Sequence, residues 1–436
     1  MEKLMEMARK VGDQVEIYAL DETADGVSFE NAKLKDLESK VQSGLSLRLL
    51  KDGKLGFAYT KNLLNREELL QNAIGSLQGG VEGLFDLPVS KYLPPLNTYD
   101  PSIENLANAT IVEECTRVCD IMTRKTSGQI NVSAGRRMGK LRLMNSRGTD
   151  LSSLFSLYFF HTEVLYPGSY SSIQRPFLGK SFKRLPEAHL DYILELYNQS
   201  SKEVEPKGGK MKVLFLPETI YTLMWRVQSA TNGRNVYQKV SPLLEKMGTT
   251  ILSETLTVVN DPLNDRLPDA RAFDDEGTPC QTLPIIDHGR LTHFYYDLHY
   301  AKKLNASPTG NGFKSSMWGG ETVSFRPSPS TEHLFIQTGE KPFSDLVRSM
   351  DRGIIVAGVM GAHSGNILNG DFSVGLSPGL YVEKGEIIGH VKDAMVAGNV
   401  FDVLKELIDI EDTQHPGPGG TFPAILLDHV SVATKG

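Results

Sequence analysis

Glu205-Pro206-Lys207-Gly208-Gly209-Lys210 is followed by Lys212-Val213-Leu214-Phe215-Leu216 and then by Pro217-Glu218-Thr219-Ile220-Tyr221-Thr222-Leu223-Met224-Trp225-Arg226-Val227-Gln228-Ser229-Ala230. The first piece joins a proline, two glycines and three charges, the composition of a boundary between packed units. The second is a short apolar strand, and the third is long enough for a helix from Pro217 to about Ala230. Upstream, helical and strand periodicities are mixed. Downstream of residue 250 the chain is rich in Gly and Pro, with short strands expected at 255–259, 291–296, 354–359 and 380–383, and one late helix at 400–409 burying Val400, Val403, Leu404 and Leu407. The fold class is therefore α+β: an N-terminal α+β part with hairpins and helices, and a C-terminal β-rich domain. Three regions are expected, 1–90, 91–206 and 207–436, the second belonging to the N-terminal domain.

Leu4, Met7, Ala8 and Val11 predict a short amphipathic helix running into a strand at 15–20. Strands at 45–50 and 55–60 flank Asp52-Gly53, a tight-hairpin signal because glycine accepts positive φ. A helix follows over 66–79. Pro88, Pro94, Pro95 and Pro101 mark 86–101 as a linker. A second helix spans 111–124, with Thr110 and Glu113 as a capping box and Val112, Cys115, Val118, Cys119 and Met122 on its inner face. Strands are expected at 129–135, 138–144 and 151–164, with Asn145-Ser146-Arg147-Gly148 turning between the last two. Pro186 introduces a helix over 187–200.

The chain has 436 residues, with 46 Lys and Arg against 53 Asp and Glu, a net charge of −7. Its basic residues are scattered, so direct nucleic-acid binding is not expected, since phosphate contacts need clustered cations. The weakly polar run at 353–362 is half the length a bilayer span requires. No signal-peptide pattern is visible, and three cysteines do not make a disulfide framework. These features predict a cytoplasmic protein with reduced thiols and no membrane partner.

Several motifs fail on mechanism. Gly375-Leu376-Ser377-Pro378-Gly379 matches the hydrolase elbow, but the residue after the serine must donate a backbone N–H to the oxyanion, and Pro378 has none. Gly310-Asn311-Gly312-Phe313-Lys314-Ser315 resembles a phosphate loop, yet Phe313 separates glycine from lysine. His293 and His299, six apart on an expected strand, would share a face near His288; a polar hairpin face is the simpler reading. Cys115 and Cys119 read as buried small hydrophobes. Asp261, Asp265, Asp269, Asp274, Asp275 and Glu276 read as a solvated acidic loop, because their spacing does not fit a calcium loop.

The order of the features resembles the TldD/PmbA family, once called modulators of DNA gyrase, over nearly the whole chain. Gly44 through Gly56-Phe57 resembles the family's first hairpin, and Asn145-Ser146-Arg147-Gly148 its Asn-Ser-x-Gly turn. Thr257-Val258-Val259-Asn260-Asp261-Pro262 and Asp274-Asp275-Glu276-Gly277 resemble the strand and turn of its acidic passage. Gly370-Asp371-Phe372-Ser373 and Ala397-Gly398-Asn399 resemble two late segments.

In the TldD-like branch, a helix carries His-Glu-x-x-x-His and a distant cysteine completes a zinc site. A gapless count from Gly248 places Met224, Trp225 and Ser229 where the first His, the Glu and the second His would stand. A thioether suits copper(I) better than zinc, indole is no general base, and no histidine occurs between His189 and His288. The late segment His415-Pro416-Gly417-Pro418-Gly419-Gly420 has no cysteine, and none follows Cys280. The resemblance thus implies the PmbA/TldE-like branch. It implies no catalytic, cofactor-binding or metal residue in this chain, with zinc expected in a TldD-like partner subunit. It further implies a non-catalytic subunit of a heterodimeric cytosolic zinc metalloprotease acting on unfolded or small peptides. In that reading helix 217–230 and the 370–373 segment lie near the subunit interface or cleft. The alternatives are a self-associating peptide-binding or regulatory module, homodimeric in isolation, and an enzyme using His288, His293 and His299.

Overall fold

The computed structural model describes residues 1–315 and 319–435. The N-terminal part is built on one six-stranded antiparallel sheet: β1 (Gln14–Glu30), β2 (Lys33–Lys51), β3 (Lys54–Thr60), β4 (Gln129–Asn145), β5 (Asp150–Leu165) and β6 (Ser172–Gly179), in the order β3-β2-β1-β4-β5-β6. Residues on either side of the proline-rich 86–101 segment share this sheet, because β1 pairs with β4. The Asp52-Gly53 turn has the expected geometry, both residues lying at positive φ, 50° and 71°, which matches the twist of the flanking strands. Helices α1 (Glu2–Ala8) and α2 (Arg66–Ser76) cover β1–β3, with Leu4, Ala8, Leu69 and Ala73 packed on Ile17 and Leu47. Helices α3 (Asn108–Thr123) and α4 (Glu187–Gln199) cover the other half. Cys115 and Cys119 sit in that core, where burial pushes both thiols up to about 12, as inert packing groups should be.

Two local expectations change. Residues 129–145 form one strand where two were expected, at 129–135 and 138–144; Arg136 and Arg137, between the two, pair with β1, Arg136 with Asp25 at 2.7 Å and Arg137 with Glu22 at 2.5 Å. The capping box at Thr110 does not form, since α3 begins earlier, with Ala107 at the N-cap and no side-chain cap.

After 205–208 the chain enters β7 (Gly209–Phe215), in the middle of a nine-stranded sheet. Its neighbours are Ile425–Ala433, antiparallel, and Arg352–Val356, parallel. Beyond the first stand Met395–Asn399, Asp371–Leu376 and Val359–Met360; beyond the second, Gly379–Glu383 and Glu386–Val391. The strand period of two sends alternate β7 residues into different cores. Val213 and Phe215 face α5 (Tyr221–Thr231) and the second, six-stranded sheet of the C-terminal part. Leu214 and Leu216 join Val118, Met122, Leu190 and Ile193 of α3 and α4. The two helices thus lie between the N-terminal and C-terminal sheets, in one continuous core.

The late helix is shorter than its apolar spacing suggests. Only Val400–Val403 is helical; Leu407–Ile410 is a strand on Ile425–Ala433, drawn there by the bond from the Asp428 N–H to the Glu406 carbonyl. Val400, Val403 and Leu404 are buried, and Leu407 is partly so. The strand expected at 291–296 is reduced to Arg290–Leu291. The following backbone bonds to the end of α5 instead, Tyr295 N–H to the Thr231 carbonyl and Gly233 N–H to the Tyr295 carbonyl.

Candidate functional site

Helix α5 follows a single turn at Pro217–Thr219 and has two unlike faces. Leu223, Met224, Val227 and Ala230 point into the core and are at most 1 % exposed. Tyr221, Trp225, Gln228, Ser229 and Asn232, at the i, i+4, i+7, i+8, i+11 spacing of one helical face, line a cleft of about 660 Å³. Its other walls come from Tyr295, the 329–332 segment and Pro418-Gly419. Of the three residues that the sequence places on the zinc-motif positions, Trp225 and Ser229 face the cleft; Met224 turns into the core.

Amide and hydroxyl groups along the cleft are tied to one another and to its walls by hydrogen bonds. Gln228 donates to the Thr331 hydroxyl at 2.7 Å. Asn232 donates to the Pro329 carbonyl at 2.9 Å and to the Tyr295 hydroxyl at 3.2 Å, and that hydroxyl donates to the Gln228 carbonyl at 2.9 Å. Asn235 holds the Ser229 carbonyl and hydroxyl at 2.8 and 3.1 Å. Sequence reasoning missed this amide set, although Gln228 and Asn232 stand one turn apart on the face that carries Trp225 and Ser229.

Arg226 is fully buried behind α5. It donates to the carbonyls of Thr222, Ala362, Ser364 and Asp371 at 2.7 to 3.1 Å, so peptide dipoles take the place of water around the cation. Through Asp371 it ties α5 to two of the segments that carry the family resemblance, since Asp371 pairs with Asn399 across adjacent strands and accepts from the Asn399 amide at 2.9 Å. Helix α5 and the 370–373 segment are therefore in contact, with 370–373 behind the helix and outside the cleft lining.

The expected solvated acidic loop is corrected in its second half: Asp269 is exposed and Asp261 and Asp265 are half-buried, but the last three acids are not solvated. Asp274, Asp275 and Glu276 are 1 to 2 % exposed and join the two halves of the molecule. Glu276 accepts from Arg48 of β2 at 2.6 Å, and Arg48 makes a two-pronged pair with Glu16 of β1 at 2.7 and 2.9 Å. Asp275 pairs with Arg271 at 2.6 Å. Asp274 accepts from three backbone N–H groups, of Glu276, Thr278 and Gly312, although burial and the Glu276 charge still push its carboxyl well up. Asp297 is held at about 8 by burial, with Glu276 as the next cause.

The Gly-rich stretch 310–315 belongs to this junction. A Cβ on Gly312 would stand 2.3 Å from a Glu276 carboxylate oxygen, and one on Gly310 2.5 Å from the Pro279 carbonyl, so the glycines serve close packing and cradle no phosphate. Lys314 is buried with its ammonium between the Tyr18 and Phe57 rings. Ser377 bonds to the Ser171 hydroxyl at 3.0 Å and leads directly into the strand Gly379–Glu383. His293 lies in irregular chain, His299 on the helix Leu298–Lys303, and His288 in an exposed turn. The shared strand face on which their clustering depended is absent.

Residues 208–434 match the PmbA/TldA metallopeptidase C-terminal domain, and residues 15–76 match PmbA/TldA metallopeptidase domain 1. The uncharacterized protein MJ0231 of Methanocaldococcus jannaschii is 25 % identical over 96 % of both chains. The metalloprotease PmbA homolog of Haemophilus influenzae is 22 % identical over 98 % of this chain and 94 % of its own. The crystal structure of TldE from Thermococcus kodakarensis superposes with a TM-score of 0.90 at 22 % identity, covering 99 % of each chain. The fold and the domain matches define a protein of metallopeptidase-like architecture. The chain belongs to the PmbA/TldD family.

That family's description raises the question of a zinc ion. The cleft along α5 offers one carboxylate, Glu332, itself pushed up by burial. The remaining polar groups are amides, hydroxyls and Arg234, with no imidazole or thiolate. His415, on the neighbouring segment, turns instead to Glu411 at 3.4 Å. Zinc sites need about four nitrogen, sulfur or carboxylate donors. Among the described residues, no group of three or more His, Cys, Asp or Glu is placed to hold a metal. The donor set does not fit zinc.

Proposed function

We propose that this chain is the non-catalytic, PmbA/TldE-like subunit of a heterodimeric cytoplasmic zinc peptidase acting on unfolded or small peptides, whose metal sits in a TldD-like partner. One observation carries the reading: the cleft-facing side of α5 is Trp225, Gln228, Ser229 and Asn232, in a family described as metallopeptidases. Such a surface cannot lower the pKa of a metal-bound water, but it can hold a peptide. Amide side chains donate and accept at once, matching a peptide backbone, and Trp225 and Tyr221 add flat apolar area. The partner's zinc would act on a peptide lying across the joined clefts.

Metal analysis and peptidase assays of the chain, alone and with a TldD-like chain from the same source, test this. We expect substoichiometric zinc and no cleavage from the isolated chain, and cleavage on adding the partner. Stoichiometric zinc together with peptide cleavage by the chain alone would overturn the proposal.

A further inference from the structure

β2 is longer than its partner on one side. β3 covers only Leu45–Lys51 of it, whereas β1 pairs along its whole length. Among the described residues, no strand lies beside the edge from residue 33 to residue 44. Residues 33–41 are exposed on both faces, with Leu34, Leu37 and Val41 at 49, 52 and 78 %. Glu38 and Lys40 form no ion pair among the described residues. Long, exposed, apolar-bearing edges template pairing with another chain unless they are covered.

The sequence of the edge says what covers it. In an antiparallel pairing of two copies about a two-fold axis at Ser39, Glu38 of each copy faces Lys40 of the other, and Leu37 faces Val41 on the opposite side of the sheet. Asp36 then faces Gln42, and Lys35 faces Ser43. Every like charge is kept apart, and cross-strand ion pairs and apolar pairs are the units that stabilise such a ladder. Neighbouring symmetric registers fail. Centring on Glu38 or Lys40 sets that charge against itself, and centring on Leu37 sets Asp36 against Glu38. A peptide ligand would find no side-chain pockets here, since both faces of the strand are open.

We infer that β2 is a homotypic interface: two copies of this chain pair edge to edge through residues 35–43, joining their N-terminal sheets. The cleft on α5 takes no part, so this pairing and the peptidase-subunit reading can fail separately.

Sedimentation velocity of the full chain at micromolar concentration and low salt tests it. The wild type is expected to dimerise. Glu38→Lys and Lys40→Glu each turn two attractive pairs into two repulsive ones, and should each weaken the dimer at least about tenfold. The double variant Glu38→Lys/Lys40→Glu should recover it, and an equimolar mixture of the two single variants should form mixed dimers. Both residues are exposed, so circular dichroism should show unchanged folding. A monomeric wild type overturns the inference, as does a dimer indifferent to both single variants, or one that neither the double variant nor the mixture restores. If the wild type is monomeric and Glu38→Lys instead abolishes binding of a TldD-like chain, the edge belongs to that partner.

Discussion

Arg48→Met should cost about 3–5 kcal/mol of unfolding free energy at pH 7, as expected when one member of a buried ion network is removed. The guanidinium lies between Glu16 and Glu276, and all three side chains are at most 4 % exposed. Its bonds to Glu16 are bidentate, at 2.9 and 2.7 Å, and its third nitrogen reaches Glu276 at 2.6 Å. The other Glu276 oxygen accepts from the Leu298 N–H at 2.7 Å. Methionine fills much of the arginine's length but leaves two buried carboxylates facing each other. Burial already raises the Glu16 carboxyl, and Arg48 is the opposing influence. In the variant, the Glu16 carboxyl should therefore hold its proton well above the ordinary value of about 4.3. Between that value and the raised folded value, the native state binds more protons than the unfolded chain, so stability falls as pH rises. The deficit of Arg48→Met should be smallest near pH 5 and grow toward pH 7. Adding Glu16→Gln and Glu276→Gln should return part of the loss. Urea unfolding of the wild type and both variants at pH 5 and 7 checks this. A deficit independent of pH would mean that the lost contribution is packing, such as the Arg48 stack 5.7 Å over Phe85.

The same junction marks where the sequence stops being legible. The hairpin at Asp52-Gly53, the α4 start after Pro186 and the strand-helix succession of β7 and α5 are local signals, and each appears where its residues put it. Asp274, Asp275 and Glu276 look solvated because sequence windows see only neighbours, whereas Arg48 lies 228 positions away and the Gly312 N–H 38 away. Residues 400–410 carry a helical apolar spacing that tertiary pairing overrides after one turn. The cleft shows the same division. Its α5 wall was readable, along with the absence of zinc ligands there. Its other walls, Tyr295, Thr331 and Pro418, come from three distant loops. The charges on β2 were equally visible, but their meaning depends on β3 ending early, which is a property of the sheet.

Lys314 gives the second large effect, with the opposite pH sign. Its ammonium donates to the Ser46 hydroxyl at 2.9 Å and to the Phe325 carbonyl at 2.7 Å, and among the described residues it makes no ion pair with a carboxylate. Burial, aided by the nearby Arg48 charge, pushes its pKa down to about 7, against about 10.4 in an unfolded chain. A base lowered on folding penalises the native state fully below the folded pKa. Between about 7 and 10.4 the unfolded chain binds more protons, so stability rises with pH by up to about 1.4 kcal/mol per unit. Lys314→Met removes this dependence while retaining most of the side chain's volume. From pH 7 to pH 10 the wild type should gain roughly 3–4 kcal/mol relative to the variant. Asp297 and the other titrating groups are common to both chains and largely cancel in that difference. Urea midpoints of the pair at pH 7, 8.5 and 10 measure it directly. Parallel profiles would show that Lys314 keeps its proton in the folded state, and that the carboxylates around Arg48 reach it more strongly than burial opposes them.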